Sequence, residues 1–248
     1  MRPPAPFFAS GEHLAIDLPG ARALFTTRRG GVSEGPYASL NLGLWTEDEP
    51  ARVLENRARA CAAAGVAREG VAQGRQVHGN GVRALTQAPD PAADPEPADG
   101  QATSVMGVTP LVLIADCLPI AVTGNGAVAM LHGGWRGLAG GIIEAGVAAL
   151  RSLDASGPLA AAIGPGAGPC CYETGAEVHA AFAGDGPAVR HGRRLDLKAI
   201  ARRRLEAAGV ATVHDAALCT ICGDPERFFS HRRDGGLTGR MGGLAWLT

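Results

Sequence analysis

Lysine is almost missing from this chain: Lys198 is the single lysine among 23 basic residues, and all the others are arginine. Arginine grips phosphate and carboxylate with paired donors, although a GC-rich genome produces the same bias. Aromatics are scarce at 4%, which argues against a stacking platform for single-stranded nucleic acid. A net charge of −1 gives no long-range pull toward DNA, RNA or an anionic membrane. No apolar run reaches the roughly 18 residues of a membrane span. The start, residues 1–8, lacks the apolar stretch of a signal peptide. Six cysteines in 248 residues are too few for a disulfide scaffold at this size. A reduced, cytoplasmic setting is expected, with neither nucleic acid nor membrane as partner. No coiled-coil pattern or apolar strip fixes the oligomeric state.

What is present suits one substantial core. The hydrophobic share of 46% beside 19% charged residues is that of a globular domain, and the length permits a single unit spanning 1–248. The 36 glycines imply many tight turns. Val53, Leu54, Arg57, Ala58 and Cys61 fall at helical spacing, closed by Gly65, and predict a helix over 50–65. Further helices are expected over 140–153 and over 195–208, the second with a basic cluster at Arg202, Arg203 and Arg204. Residues 88–100 are rich in Pro, Asp and Ala and read as an exposed loop. β-rich runs cover 111–123 and 127–132, and a last short strand covers 244–247. Strands and helices interleave without regular βα repeats, so the class is α/β (α+β) with mixed sheets.

Three segments carry the chemistry: Gln76-Val77-His78-Gly79, Ala115-Asp116-Cys117-Leu118-Pro119 and Leu131-His132-Gly133-Gly134-Trp135-Arg136-Gly137. Each brings one imidazole or thiolate close to glycine or proline. Zinc takes both ligand types, and three protein ligands with a fourth position left for water mark a reactive centre. A lone histidine is more often a satisfied polar group, so His78 by itself is weak evidence. The pair Cys117 and His132 is stronger, because Gly124-Asn125-Gly126 joins the two apolar runs as a hairpin turn. With Gly124-Asn125 as the loop, Cys117 faces His132, with Cβ atoms about 4.5–5.5 Å apart. With Asn125-Gly126 as the loop, the two become diagonal neighbours on one face. Pro119 predicts a bend or bulge just after Cys117.

Other motifs weigh less. Cys219-Thr220-Ile221-Cys222 has C-x-x-C spacing but no second pair and no histidine at finger spacing, so free thiols are the better reading, there and at Cys170-Cys171. His13, His179, His191 and His214 read as surface residues. His231 sits in a basic, aromatic stretch suited to a pocket wall. Thr27-Arg28-Arg29-Gly30-Gly31 and Gly134-Trp135-Arg136-Gly137 could hold an anion through guanidinium and main-chain N–H groups, with ordinary surface turns the blander alternative. No P-loop or G-x-G-x-x-G stands in a strand-to-helix setting.

Taken in order, these segments closely resemble the YfiH family of bacterial proteins, also called laccase-domain or multicopper polyphenol oxidase proteins. The likeness runs from Thr26-Thr27-Arg28 and Ser39-Leu40-Asn41-Leu42-Gly43 through the three ligand segments. It continues in Ile163-Gly164-Pro165, Cys171-Tyr172-Glu173, Cys219-Thr220 and 228–234, and ends at Gly239-Arg240-Met241. It implies a single α/β domain with mixed sheets sandwiched by helices, and zinc at His78, Cys117 and His132. It also implies phosphorolysis of purine nucleosides (adenosine, inosine and S-methyl-5′-thioadenosine among them) together with adenosine deamination. Gly133 stands where the family often has alanine, and Gly166-Ala167 where it has Cys or Ile.

On this reading purine nucleosides and phosphate are the partners. Arg28 and Arg136 are the candidates for orienting phosphate, Asn41 and Gln76 for hydrogen-bonding substrate. Asp116 either carries a proton or orients a ligand. Water activated at the metal would attack purine C6 in deamination. Three alternatives stay open. A copper-dependent phenol oxidase needs many imidazoles, yet the seven histidines form no His-x-His pair. A hydrolase would use Cys117 as nucleophile and His132 as base. A structural zinc clip would normally close with a fourth protein ligand.

Overall fold

The computed structural model describes residues 4–90 and 92–248. Residues 1–3, the beginning of the stretch read for a signal peptide, and residue 91 of the Pro-rich segment lie outside them. The chain opens with β1 (Phe8–Ser10), β2 (His13–Leu18) and β3 (Ala21–Phe25), then α1 (Pro50–Ala64). Next come β4 (Val71–Ala72), β5 (Val82–Leu85), β6 (Gly100–Thr103), β7 (Thr109–Ile114), β8 (Leu118–Asn125) and β9 (Ala127–Gly133). Then follow α2 (Trp135–Gly140), α3 (Ile142–Ser152), β10 (Ser156–Ile163) and α4 (Ala176–Ala181). A small ribbon of β11 (Arg190–His191) and β12 (Arg194–Leu195) precedes α5 (Leu197–Ala207), β13 (Val210–Asp215) and β14 (Met241–Leu247).

The strands form two six-stranded sheets, ordered β1-β2-β3-β14-β7-β4 and β13-β10-β8-β9-β6-β5. Both are mixed. The first is antiparallel except for its edge pair β4/β7, and the second is antiparallel inside with parallel pairs at both edges. Why they stack follows from period-two alternation in β8, β9 and β10. Ile120, Val122, Ala129, Leu131, Leu159, Ala161 and Ile163 face one way, into a core shared with α3 and α5. Ala121, Val128, Met130, Ala160 and Ala162 face the other way, into a core shared with Ile16, Phe25, Val112 and Met241 of the first sheet. Small alanines on the inner face let the sheets approach. The outer face of the first sheet, with Leu24, Leu111 and Leu244, packs against Ala60 of α1. The result is a sandwich of two sheets between helices. Among the described residues no helix is long and apolar enough to cross a membrane.

The helix over 50–65 is present, with proline in its first turn and Gly65 at φ +71° as its left-handed cap. Its buried face differs from the expected one: Asn56 is buried, while Leu54 remains 43% exposed. The helix expected over 140–153 is present as α3, and Gly141 at φ +91° separates it from the shorter α2 before it. The third, α5, starts after Asp196, whose carboxylate accepts from Ala199 N at 3.0 Å. Its basic cluster is not a free patch: Arg202 donates to Val213 O and Arg204 to Leu138 O. His13, expected at the surface, is buried and its Nδ1 accepts from Thr27 N at 3.3 Å.

The apolar run 111–123 is not one strand but two, β7 in the first sheet and β8 in the second. Residues 115–117 carry the chain across. Asp116, at φ +91°, takes the left-handed turn that this crossing requires, a conformation costly for a non-glycine residue. The bend therefore precedes Cys117. Pro119 sits inside β8, paired in register with His132. The pairs Leu118↔Gly133 and Gly124↔Ala127 select the hairpin with Asn125-Gly126 as its loop, and Gly126 turns at φ +85°. Cys117 and His132 are thus diagonal neighbours on the inner face.

Where β10 ends, the sheets touch closely. A Cβ on Gly164 would lie 2.4 Å from Phe25 Cδ1 and 2.7 Å from its Cε1, and that ring is fully buried. Gly164→Ala is expected to cost about 1–3 kcal/mol through overpacking. Equilibrium denaturant unfolding measures it, and an unchanged midpoint would contradict this account of the seam.

Candidate metal centre and its cavity

His78, Cys117 and His132 converge. One ligand atom from each lies within 4.8 Å of the other two, and the two imidazoles meet edge to face with centroids 5.0 Å apart. His78 comes from the segment between β4 and β5, Cys117 from the crossing into β8, and His132 from the end of β9. The donor set is a soft thiolate and two imidazoles, which suits zinc.

Asp99, fully buried just before β6, builds two corners of this triangle. Its carboxylate accepts the backbone N–H groups of Val77, His78 and Gly79 at 3.1, 2.9 and 2.7 Å. Those bonds hold His78 at φ +59°, a left-handed conformation for a non-glycine residue. The same carboxylate lies 2.8 Å from His132 Nδ1, which leaves Nε2 for the metal. A carboxylate behind a ligating imidazole fixes its tautomer and raises its basicity. Asp99 was passed over in the sequence because it ends a Pro-, Asp- and Ala-rich stretch read as an exposed loop. The one signal that could have marked it is its place directly before the buried strand Gly100–Thr103.

Asp116 performs the matching task beside Cys117. Its carboxylate accepts from Thr220 Oγ1 at 2.6 Å, Ser230 Oγ at 3.0 Å and Arg232 N at 2.8 Å. Three donors from one distant connection, between β13 and β14, thereby hold the left-handed turn that aims the thiol. Gly134 completes the centre by having no side chain. A Cβ there would lie 3.2 Å from Cys117 Sγ and 3.2 Å from His78 Cδ2.

The electrostatics fit a metal ligand set. Burial pushes the Cys117 thiol up, but His132 and His78 outweigh it and bring it down to about 6. Burial pulls His132 down, but the Cys117 thiolate and Asp99 outweigh it and carry it up to about 9. Burial likewise works against the Asp99 carboxylate, yet His132 and the N–H groups of Gly79 and Val77 hold it below the ordinary carboxylate range.

A cavity of about 430 Å³ opens onto the triangle, inside the range for a small-molecule site. Its wall includes Trp45, Thr46, Gln76, Asp116, Tyr172, His231, Arg232 and Arg240 along with all three ligands. His231 therefore lines the pocket, as its surroundings in sequence suggested. Gln76 lines it too, with its amide clamped on β7: Nε2 donates to Leu113 O at 2.8 Å and Oε1 accepts from Leu113 N at 2.7 Å.

Three other expected site residues are placed elsewhere. Arg28 donates from Nε to Ala38 O and from Nη1 to Pro225 O, stacks over Phe229 and is absent from the cavity wall. Arg136 lies over the Trp135 ring near Glu177, with its side chain 60% exposed, also outside the wall. Asn41 is fully buried. It donates to Thr46 Oγ1 and Asp48 Oδ2 and accepts from Gly43 N and Arg240 N, so it braces the wall without facing the cavity. Sequence reading missed Trp45, Tyr172, Arg232 and Arg240. Only folding joins these four positions, although the last three stand inside or beside the motifs that carried the resemblance. Nor are the four remaining surface-loop thiols scattered: Cys170, Cys171, Cys219 and Cys222 form a second group within 4.8 Å.

Residues 22–248 match the family described as multi-copper polyphenol oxidoreductase laccase. A purine nucleoside phosphorylase of Xylella fastidiosa is 43% identical, with 92% of this chain and 93% of the relative covered. The purine nucleoside phosphorylase YfiH of Escherichia coli is 39% identical, covering 92% and 94%. Among solved structures, YlmD from Geobacillus stearothermophilus superposes with a TM-score of 0.87 at 35% identity, covering 95% of this chain and 96% of that one. Bacillus licheniformis YfiH gives a TM-score of 0.90 at 29% identity, covering 99% and 100%.

Two outcomes test the centre. Asp99→Asn removes the charge behind His132 and is expected to weaken metal binding about 10–100-fold. Chelator competition measures this, and affinity equal to wild type would contradict the orienting role. At neutral pH the metal-free centre pairs a thiolate with an imidazolium, so loading a metal must expel the His132 proton. Affinity should then weaken by about tenfold per pH unit as pH falls from about 9 to about 6, and more steeply below, where Cys117 also holds a proton. A flat profile across that range would count against the ion pair.

Proposed function

The chain belongs to the laccase-like polyphenol oxidoreductase family, and on that footing we propose that it is a zinc-dependent purine nucleoside phosphorylase that also deaminates adenosine. The observation that carries this is the convergence of His78, Cys117 and His132 on the wall of a nucleoside-sized cavity, in a chain whose relatives are named purine nucleoside phosphorylase. Adenosine, inosine and S-methyl-5′-thioadenosine are the intended substrates. The reaction is placed in the cytoplasm, where free thiols persist.

Bound zinc would supply a Lewis acid of net charge near +1, able to polarise a water or a phosphate oxygen. Phosphorolysis forms a bond from phosphate oxygen to ribose C1′ as the bond from C1′ to the purine nitrogen breaks. The bonding electrons leave with the base, which then takes up a proton. Phosphate needs cationic donors, and Arg232 and Arg240 stand in the wall where Arg28 and Arg136 do not. Arg240 spends Nη1 on Thr238 O and Gly239 O, which leaves Nε and Nη2 as donors. Arg232 spends Nη1 on Glu173 O.

The purine needs an apolar slot and a proton source. Trp45 and Tyr172 offer ring faces. Burial first and the Cys117 thiolate second push the Tyr172 phenol up to about 12, so it stays a neutral hydrogen-bond donor. His231 is the wall residue suited to deliver a proton to the departing base. Gln76 keeps one free N–H for substrate. Asp116, with both carboxylate oxygens engaged, is assigned the orienting role at Cys117. Asn41 positions Thr46 and Arg240.

A metal-free hydrolase is the second reading, favoured by the line Asp99–His132–Cys117 and the depressed thiol. Chromatography of inosine and adenosine, with and without phosphate, separates the possibilities when run beside elemental analysis of protein purified without added metal. Wild type is expected to contain zinc and to release ribose-1-phosphate. Cys117→Ala or chelation is expected to lower that rate more than about a hundredfold, beyond the cost of losing an outer partner of the site. Unchanged turnover in both sinks the proposal. Bound copper with oxygen uptake on a phenol would establish the oxidase instead. Alkylation of Cys117 that zinc does not block would favour the hydrolase.

A further inference from the structure

Outside the cavity, two loops each bring a pair of cysteines to one point. Cys170 and Cys171 lie in the loop after β10, Cys219 and Cys222 in the loop between β13 and β14. Their four sulfurs lie within 4.8 Å of one another, with those of Cys170 and Cys222 3.3 Å apart. A tetrahedral zinc with Zn–S bonds of about 2.3 Å sets sulfurs about 3.8 Å apart, so small adjustments would close a site. The two loops are already zipped just ahead of the cluster, where Gly166 N donates to Leu218 O and Thr220 N to Gly166 O.

A second observation points the same way. Cys219 Sγ accepts the backbone N–H of Gly168 at 3.3 Å. Backbone N–H groups of Cys222 and Ile221 turn toward the same sulfur. N–H donors folded back onto the first sulfur of a C-x-x-C turn stabilise a thiolate, the form a metal binds. The turn is built to be tight: a Cβ on Gly223 would lie 2.2 Å from Cys219 O, and one on Gly168 would lie 3.3 Å from Cys170 Sγ.

We propose that Cys170, Cys171, Cys219 and Cys222 form a second metal centre, a closed four-thiolate site for Zn²⁺. Binding makes four Zn–S bonds and releases to solvent the proton of every thiol that still holds one. The resulting centre has a net charge of −2, with guanidinium groups anchored beside it: Arg194 on Cys170 O at 2.7 Å and Arg233 on Thr220 O at 3.0 Å. No position is left for water, so the centre is structural. What it braces is the cavity. Tyr172 follows Cys171 directly, and Thr220, next to Cys219, donates to Asp116. Ala167 N, on the other loop, donates to Asp116 O at 2.7 Å. The clip thereby ties one cavity wall to the turn that aims Cys117.

The test is elemental analysis and native mass spectrometry of the full chain purified in reducing buffer without added metal. Wild type is expected to carry about two zinc ions, and Cys222→Ser and Cys170→Ser about one each. Cys117→Ala is also expected to carry about one, and Cys117→Ala combined with Cys222→Ser about none. Circular dichroism confirms that each variant is folded. Cobalt loaded into Cys117→Ala should give an intense thiolate-to-metal charge-transfer band that disappears when Cys222→Ser is added. A zinc content unaffected by both serine variants overturns the proposal, as does a native protein lighter by two hydrogens with Cys170 and Cys222 joined. Because the counts are read separately from nucleoside turnover, failure of the phosphorylase reading leaves this result standing, and the converse also holds.

Discussion

A single buried carboxylate, that of Asp99, holds the centre in shape. It reads two ligands in different ways: His78 through three successive backbone N–H groups, His132 through its ring nitrogen. An isolated carboxylate at zero exposure would be prohibitively costly. With four donors around it, the charge becomes an organising point, and it joins the segment after β4 to the end of β9. Asp99 N donates to Gly81 O and its own carbonyl accepts from His132 N, so the anchor is itself fixed at both backbone ends. Asp116 repeats the principle for the thiol. The ligands thus lean on two aspartates, of which only Asp116, beside Cys117, is marked by its place in the sequence.

The family's descriptive name and the names of its relatives pull toward different chemistries, copper oxidation and nucleoside phosphorolysis. The donor set bears on this choice more than the fold does. One thiolate and two imidazoles, with carboxylate support behind a single ring, make a compact site for one ion. A cavity with aromatic faces, two arginines and a neutral phenol around that ion suits a substrate with a flat base and an anionic co-substrate. The placement of Arg28 and Asn41 is instructive here. Both lie in motifs that resemble the family, and both turn out to brace loops. A polar residue in a recognisable motif can be there for the backbone around it.

Much of this was legible in the sequence, for physical reasons that can be named. Helix α1 announces itself with proline at its start and glycine in the left-handed cap. The hairpin is written in Asn125-Gly126, and its register follows once the loop is chosen. The ligand triad was visible because each member sits where glycine or proline lets backbone come close. Other features were hidden. Residues 111–123 look like one strand because the stretches on either side of Asp116 are apolar on both faces, and one charged residue between them does not by itself signal the crossing at 115–117. The four cysteines read as separate free thiols because only 219–222 has C-x-x-C spacing, and the two pairs meet only through parallel pairing of β10 with β13. The segment 134–137 reads as an anion-holding loop or a surface turn, whereas Gly134 and Gly137 are sites of close approach, to the ligands and to Gly79 O.

The three-residue bridge between β7 and β8 has a corollary for chain length. It sets the phase of both strands at once, since side chains alternate with strict parity along each. Inserting or deleting one residue there would swing the thiol away from its partners and at the same time exchange which side of β8 meets helices and which meets the opposing sheet. The length of this link is therefore a count that substitutions elsewhere in the chain would not readily compensate.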